Sequence, residues 1–149
     1  MQISSRFSIA VHSLLVIGYF QDKIKITGNK IAASVNTNPV IIRKLIVQLK
    51  QAGLVTVVVG SGGTSLAKPP QSISLLDIYT AVNTNSENNL FGFHSQPNIK
   101  CPIGRNIHAV LDMHMEFSQM AMEKCLEKIT LKELIDQLSE KIALDKINQ

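Results

Sequence analysis

The stretch Asn36–Thr56, NTNPVIIRKLIVQLKQAGLVT, predicts a helix with a well-defined start and end. Asn38 suits the N-cap, because its side-chain oxygen can accept a hydrogen bond from a free backbone N–H, and Pro39 suits the first helical position. Gly53 favours the left-handed turn that commonly ends a helix. We therefore expect a helix of about three to four turns with one buried face. The apolar residues of that face are Ile41, Ile42, Leu45, Ile46 and Leu49.

The charges of this helix are all positive, and the same bias extends over the first half of the chain. The helix carries Arg43 and Lys44 near its start and no acidic residue. Residues 1–68 hold eight lysines and arginines but one acid, Asp22, whereas residues 69–149 hold seven basic and ten acidic residues. A basic half joined to a mildly acidic half indicates that the first half meets a polyanion such as nucleic acid. Chance clustering is the alternative.

The neighbouring segments predict a helix-turn-helix followed by a β-hairpin. A first helix is expected over residues 6–20, and Thr27 can cap a second, short helix that precedes the one described above. Val55–Val59 is β-branched and reads as a strand, Gly60–Gly63 as a turn, and residues 64–68 as the return strand. The glycines lack the spacing of nucleotide-binding loops, so we interpret the hairpin as the wing of a winged helix.

The C-terminal half predicts a long helix over residues 103–128 that is apolar on more than one side. Such a helix needs a cover, and a partner chain is the natural one, although packing within the same chain is the alternative. After it, Thr130 can cap a short helix over residues 131–138, with a tail that frays. We expect a mainly α fold with a small β-hairpin, a winged helix-turn-helix plus a long C-terminal dimerisation helix.

Three regions are expected along the chain. Residues 1–83 form the DNA-binding winged helix-turn-helix, in which Ser74 and Asp77 resemble a capping box that opens a further helix. Residues 84–102 form a polar loop that can act as a sensor region. Residues 103–149 hold the dimerisation helix and the C-terminal helix.

Length and composition favour a cytoplasmic protein with no membrane partner. The chain has 149 residues, of which 45% are hydrophobic, too many for a disordered chain. No apolar run approaches the roughly 18 residues that suggest a membrane span. The two cysteines, Cys101 and Cys125, lie far apart, which is not a disulfide framework and suits a reducing compartment.

Several motifs occur in one order: TNPVIIRKLIVQLKQAGLV, then GSGG, then ISLLDIYTAV, then CPIGRNI. Together they resemble a bacterial family of dimeric winged-helix transcription regulators. That family includes the iron–sulfur cluster regulator, the nitric-oxide-sensitive repressor and the cysteine-metabolism repressor. The resemblance implies a homodimer with a long helix crossing between subunits, binding to palindromic double-stranded operator DNA, and no enzymatic activity. Repression is the expected direction of regulation.

The candidate DNA contacts lie at the third helix and the wing. A recognition helix reads base edges with its N-terminal residues, so Arg43 is the candidate for a base and Lys44 for the phosphate backbone. Many family members have an arginine in the wing where this chain has Val59, so weaker wing contacts are expected from other residues. The full set of candidates is Arg6, Thr37, Asn38, Pro39, Val40, Arg43, Lys44, Ser61, Thr64 and Lys68.

The loop departs from the pattern of the cluster-binding members, which carry three cysteines there. This chain has only Cys101, with His108 near the position of a further ligand, and one thiolate cannot hold an iron–sulfur cluster. We therefore expect no cofactor and no metal site. Cys101 precedes a helix N-terminus, which favours the thiolate, so it is the candidate redox sensor. The alternatives are a cytoplasmic thiol enzyme that uses Cys101 with His94 or His108, and a winged-helix protein-interaction module without DNA binding.

Overall fold

The computed structural model describes residues 5–60, 62–83 and 90–147. Ser61 and the first part of the polar loop lie outside these residues, and so does the predicted DNA contact of Ser61. No helix in the described residues is long and apolar enough to cross a membrane. The elements are α1 (Ser5–Phe20), α2 (Gly28–Val35), α3 (Pro39–Gln51), β1 (Val55–Val58), β2 (Gly63–Leu66), a 3-10 turn (Pro70–Ser72), α4 (Leu75–Val82), α5 (Pro102–Lys128) and α6 (Leu131–Ile147).

Helices α1 to α4 enclose the core, and α3 is held in it by one face, as predicted. Its buried residues, Ile42, Leu45, Ile46 and Leu49, pack in one cluster with side chains of α1, α2 and α4. Ile41, which was expected on that face, is 41% exposed instead, because it lies about 90° from the mean direction of the buried side chains. The predicted mainly α fold with a winged helix-turn-helix is confirmed. This packing fixes the rotation of α3 about its own axis, so its opposite face points away from the domain.

Local signals fix where α2 and α3 begin and end. The Thr27 side chain accepts a hydrogen bond from the backbone of α2, and Asn38 Oδ1 accepts from the Val40 N–H at 2.8 Å. Pro39 takes the first position of α3, and Gly53 follows the end of α3 with a φ of 72°, in the left-handed region. These predictions are confirmed, and they place the start of α3 on an exposed, capped turn.

The wing is a two-stranded antiparallel hairpin anchored to the residues before α2. Val55 pairs with Leu66, and β1 ends at Val58, one residue earlier than predicted. Gly63 has a φ of 88°, and a Cβ there would lie 2.7 Å from the Ile26 carbonyl oxygen. The Thr64 N–H donates to that same oxygen at 2.8 Å. Glycine is therefore required for the wing to approach the chain this closely.

Helix α6 is longer than predicted and returns to the DNA-binding domain. The expected short helix with a frayed tail is wrong, because α6 continues to Ile147. Leu134, Leu138 and Ile142 form one half-buried face that extends past the predicted end at residue 138, and the helix packs against α1. The Leu131 N–H donates to the Ile73 carbonyl at 2.8 Å, which ties the start of α6 to the segment before α4.

Helix α5 begins at Pro102, one residue before its predicted start, and has two apolar faces. One face is half-buried against the chain itself. The opposite face is open to solvent, and this exposed α5 face consists of Ile103, Val110, Met113, Phe117 and Met120. These five positions follow the 3-and-4 spacing of a helix that pairs with another helix.

Candidate nucleic-acid interface

The outward face of α3 is centred on three residues. With about 100° of rotation per residue, Val40, Lys44 and Val47 lie within about 30° of the direction opposite the buried side chains. Arg43 lies about 70° to one side of that direction. All four side chains are exposed. The prediction assigned the base contact to Arg43 and the backbone contact to Lys44, whereas this geometry puts Lys44 about 30° from the outward direction and Arg43 farther from it, at about 70° on the other side.

The turn before α3 is held by its own hydrogen bonds. The Asn38 carboxamide oxygen is used to cap the helix, and the Thr37 N–H donates to the Ala32 carbonyl at 3.1 Å. Pro39 is half-buried. Asn38 and Pro39 therefore position the start of α3, and Thr37 is a half-buried residue at its edge.

Arg6 lies beside the recognition helix, as a phosphate contact would require, and it also braces that helix. Its guanidinium donates to Gln48 Oε1 of α3 at 2.6 Å. The side chain of Arg6 is exposed, so its charge adds to the positive surface that α3 presents.

The wing has a cation that the sequence did not identify. Lys25 Nζ donates to the Gly60 carbonyl at 3.0 Å, so its charge lies at the turn of the hairpin, whereas Val59 beside it is 92% exposed. Lys30 Nζ in turn donates to the Lys25 carbonyl at 2.7 Å. The two residues of the first contact are 35 positions apart, so no local pattern predicts it.

The structure changes the predicted DNA contacts of Thr64 and Lys68. Thr64 is 8% exposed and faces the interior, because it lies on the inward side of β2, so the expected DNA contact of its side chain is corrected. Lys68 is exposed but lies beyond the end of β2, in a groove beside Gln51 and Thr80 rather than at the wing tip.

Cys101 is the N-cap residue of α5 and is partly exposed. The backbone N–H groups of Gly104 and Ile103, at the start of α5, hold the pKa of its thiol below the ordinary value. Arg105 lies four residues further along α5, and its Nε donates to the Ile99 carbonyl at 3.0 Å. The helix start is therefore the principal electrostatic influence on this cysteine.

His108 is committed to partners other than Cys101. Its Nδ1 lies 3.0 Å from Asp112 Oδ1 and its Nε2 lies 3.2 Å from the His94 carbonyl oxygen. The imidazole rings of His94 and His108 are stacked, with their centroids 5.6 Å apart. This arrangement ties the loop to α5, and it leaves neither ring nitrogen of His108 facing a nucleophile.

The donor atoms do not fit an iron–sulfur cluster. Cys101 and Cys125 lie on one helix, 24 residues and therefore about 36 Å apart. In the described ranges, no three histidine, cysteine or acidic side chains are grouped so that they could hold a metal ion. A cluster needs about four ligands, mostly thiolates, and one chain offers a single thiolate here.

Comparison with known proteins agrees with the fold and with a role in DNA binding. The Rrf2 family, described as "Iron-dependent Transcriptional regulator", matches residues 3–137. A Bacillus subtilis (strain 168) protein named "Putative HTH-type transcriptional regulator YwnA" is 43% identical over 136 residues, which is 91% of this chain and 98% of that protein.

Solved structures give the same result. A crystal structure described as "a putative DNA binding protein" is 39% identical, with a TM-score of 0.71 over 88% of this chain and 99% of its own. CymR, the global cysteine regulator of B. subtilis, has the same fold at 18% identity, with a TM-score of 0.67 over 92% of this chain and 98% of its own. The family and these relatives are regulators rather than enzymes, so the thiol-enzyme alternative is set aside. The chain belongs to the Rrf2 family of DNA-binding transcription regulators.

Proposed function

We propose that this chain acts in the cytoplasm as a homodimer that binds a palindromic DNA operator in a sequence-specific manner and represses transcription. The observation that carries the proposal is the outer surface of α3. It presents Arg43 and Lys44 and has no acidic residue in the same helix, and Lys25 places a further positive charge at the turn of the wing. A positive helix flanked by a positive wing fits a major groove and an adjacent backbone.

The dimer follows from the exposed α5 face. Five large apolar side chains on one side of a single helix are too costly to leave in water, and their spacing suits pairing with the same face of a second copy. A two-fold dimer would present two copies of α3 to the DNA, and the operator would then share that two-fold symmetry.

A salt titration tests DNA binding directly. The purified chain is titrated against a duplex selected from a random pool, with fluorescence anisotropy as the readout, at a series of salt concentrations. The logarithm of the affinity should fall linearly with the logarithm of salt, with a slope of about −0.9 for each phosphate neutralised. Failure to bind any duplex at low salt would favour a winged-helix protein-interaction module instead.

We also propose that Cys101 receives a redox signal. Its thiolate would attack hydrogen peroxide, the O–O bond would break, and sulfenic acid and hydroxide would form. The oxidised sulfur would no longer accept hydrogen bonds from the helix start as a thiolate does, which would shift the beginning of α5. Peroxide should therefore weaken operator binding by the wild type and by Cys125→Ser, and leave binding by Cys101→Ser unchanged. Equal loss in Cys101→Ser would remove Cys101 from the mechanism.

The proposal includes no iron–sulfur cofactor. Chain purified without oxygen should contain no stoichiometric iron or sulfide, because a single loop thiolate cannot replace the usual ligand set. Stoichiometric iron with a visible charge-transfer band would contradict this.

A further inference from the structure

Two valines on the outer surface of α3 lie outside the hydrophobic core of the chain. Val40 and Val47 are 47% and 54% exposed, and neither belongs to the hydrophobic core cluster or to the partly buried residues packed against it. They lie seven residues apart, about two turns, on nearly the same outward line, with Lys44 about 50° to one side of it and Arg43 about 50° to the other. Single exposed apolar residues are common on protein surfaces, but these two are aligned on the face that meets the DNA.

We propose that Val40 and Val47 contact the C5-methyl groups of thymines in the major groove, so that T·A pairs at fixed positions are part of the operator. This inference rests on the proposed function, since it assumes that α3 enters the major groove. Thymine is the only base that presents a methyl group there, and apolar side chains are the partners that recognise it.

The geometry favours readout by these valines over a non-specific contact. Val40 lies in the first turn, where its N–H is held by Asn38 Oδ1 at 2.8 Å, and valine has a stiff χ1 in a helix. The methyl groups of the side chain therefore have a fixed position. Lys44 and Arg43 supply charges on either side of the line of the valines, so the surface combines two apolar contacts with electrostatic ones.

The spacing of the valines limits where the thymines can lie. Seven residues of helix rise about 10 Å, and base pairs stack about 3.4 Å apart. The two thymines of one half-site should therefore be at most about three base pairs apart.

Replacing thymine by deoxyuridine tests the proposal, because it removes only the methyl group and keeps the base pair. The full-length wild-type chain is titrated against its selected operator and against duplexes in which each thymine in turn is replaced. We expect an affinity loss of about fourfold at each contacted thymine, the equivalent of burying one methyl group. Val40→Ala should abolish the loss at one of these positions, and Val47→Ala should abolish it at the other.

Ile41→Ala is the matched control. Ile41 is an exposed aliphatic residue of the same helix that points about 110° away from the line of the valines. This variant should show the same deoxyuridine losses as the wild type. Tolerance of deoxyuridine at every position by the wild type would overturn the proposal, as would losses that persist in both valine variants. Failure to select any duplex would instead refute DNA binding itself.

Discussion

Truncation of Phe117 should dissociate the proposed dimer. A phenylalanine buries about 150–250 Å², and 72% of Phe117 is open in the single chain, so about 140 Å² is available for a partner. At about 25 cal/mol per Å², this surface contributes about 3.5 kcal/mol per protomer and about 7 kcal/mol per symmetric dimer, as an upper estimate. Phe117→Ala should remove about 5 kcal/mol of it, which is more than a thousandfold in the dimer dissociation constant.

Sedimentation equilibrium over a wide concentration range measures this change. The wild type should be dimeric at micromolar concentration and Phe117→Ala mainly monomeric. Ser118→Ala is the control, because Ser118 is the next residue on α5 and lies about 110° from the exposed α5 face. A monomeric wild type, or a Phe117→Ala protein that dimerises as tightly as the wild type, would refute the role assigned to this face.

Three further changes have expected outcomes. Arg43→Ala should weaken operator binding by about 1–3 kcal/mol and relax preference at one base pair if Arg43 reads a base, whereas equal weakening on every duplex would mean a phosphate contact. Asn38→Ala should lower the free energy of urea unfolding by about 1 kcal/mol through loss of the α3 cap, and an unchanged midpoint would contradict that. Since the pKa of Cys101 is lowered, its iodoacetamide reaction in Cys125→Ser should accelerate at lower pH than that of a short cysteine peptide; coincident profiles would argue against a stabilised thiolate.

The sequence predicted where helices begin better than it predicted which distant residues are in contact. Asn38, Pro39 and Gly53 act within a few residues of themselves, so their roles could be read from the sequence. The end of α6 was missed because the tail offers only sparse apolar residues, such as Ile142, whose packing against α1 is a tertiary effect. The Lys25 contact with the wing joins residues that are distant in sequence, and no pattern indicates it.

The strand that contains Thr64 shows a different limit. Alternation along a strand assigns every second residue to the interior, and Thr64 pairs with Val57 on the inward side of the hairpin. The polarity of threonine suggested an outward position, but the register decided its direction. Likewise, helix geometry gives the roughly 100° between Arg43 and Lys44, but the observed buried face is needed to tell which of them lies nearer the outward direction.

Helix α5 is fastened to the DNA-binding domain at its C-terminal end. The Leu75 N–H donates to the Ile129 carbonyl at 2.9 Å, so the C-terminal end of α5 is fastened to the start of α4 in the DNA-binding domain. Helix α5 has 27 residues and is therefore a rod of about 40 Å. A swing of about 5° about the fastened end displaces the Cys101 end by about 3.5 Å. In a dimer that joins two such rods, a displacement of this size at the joint would move the two α3 helices relative to each other by about one base-pair step.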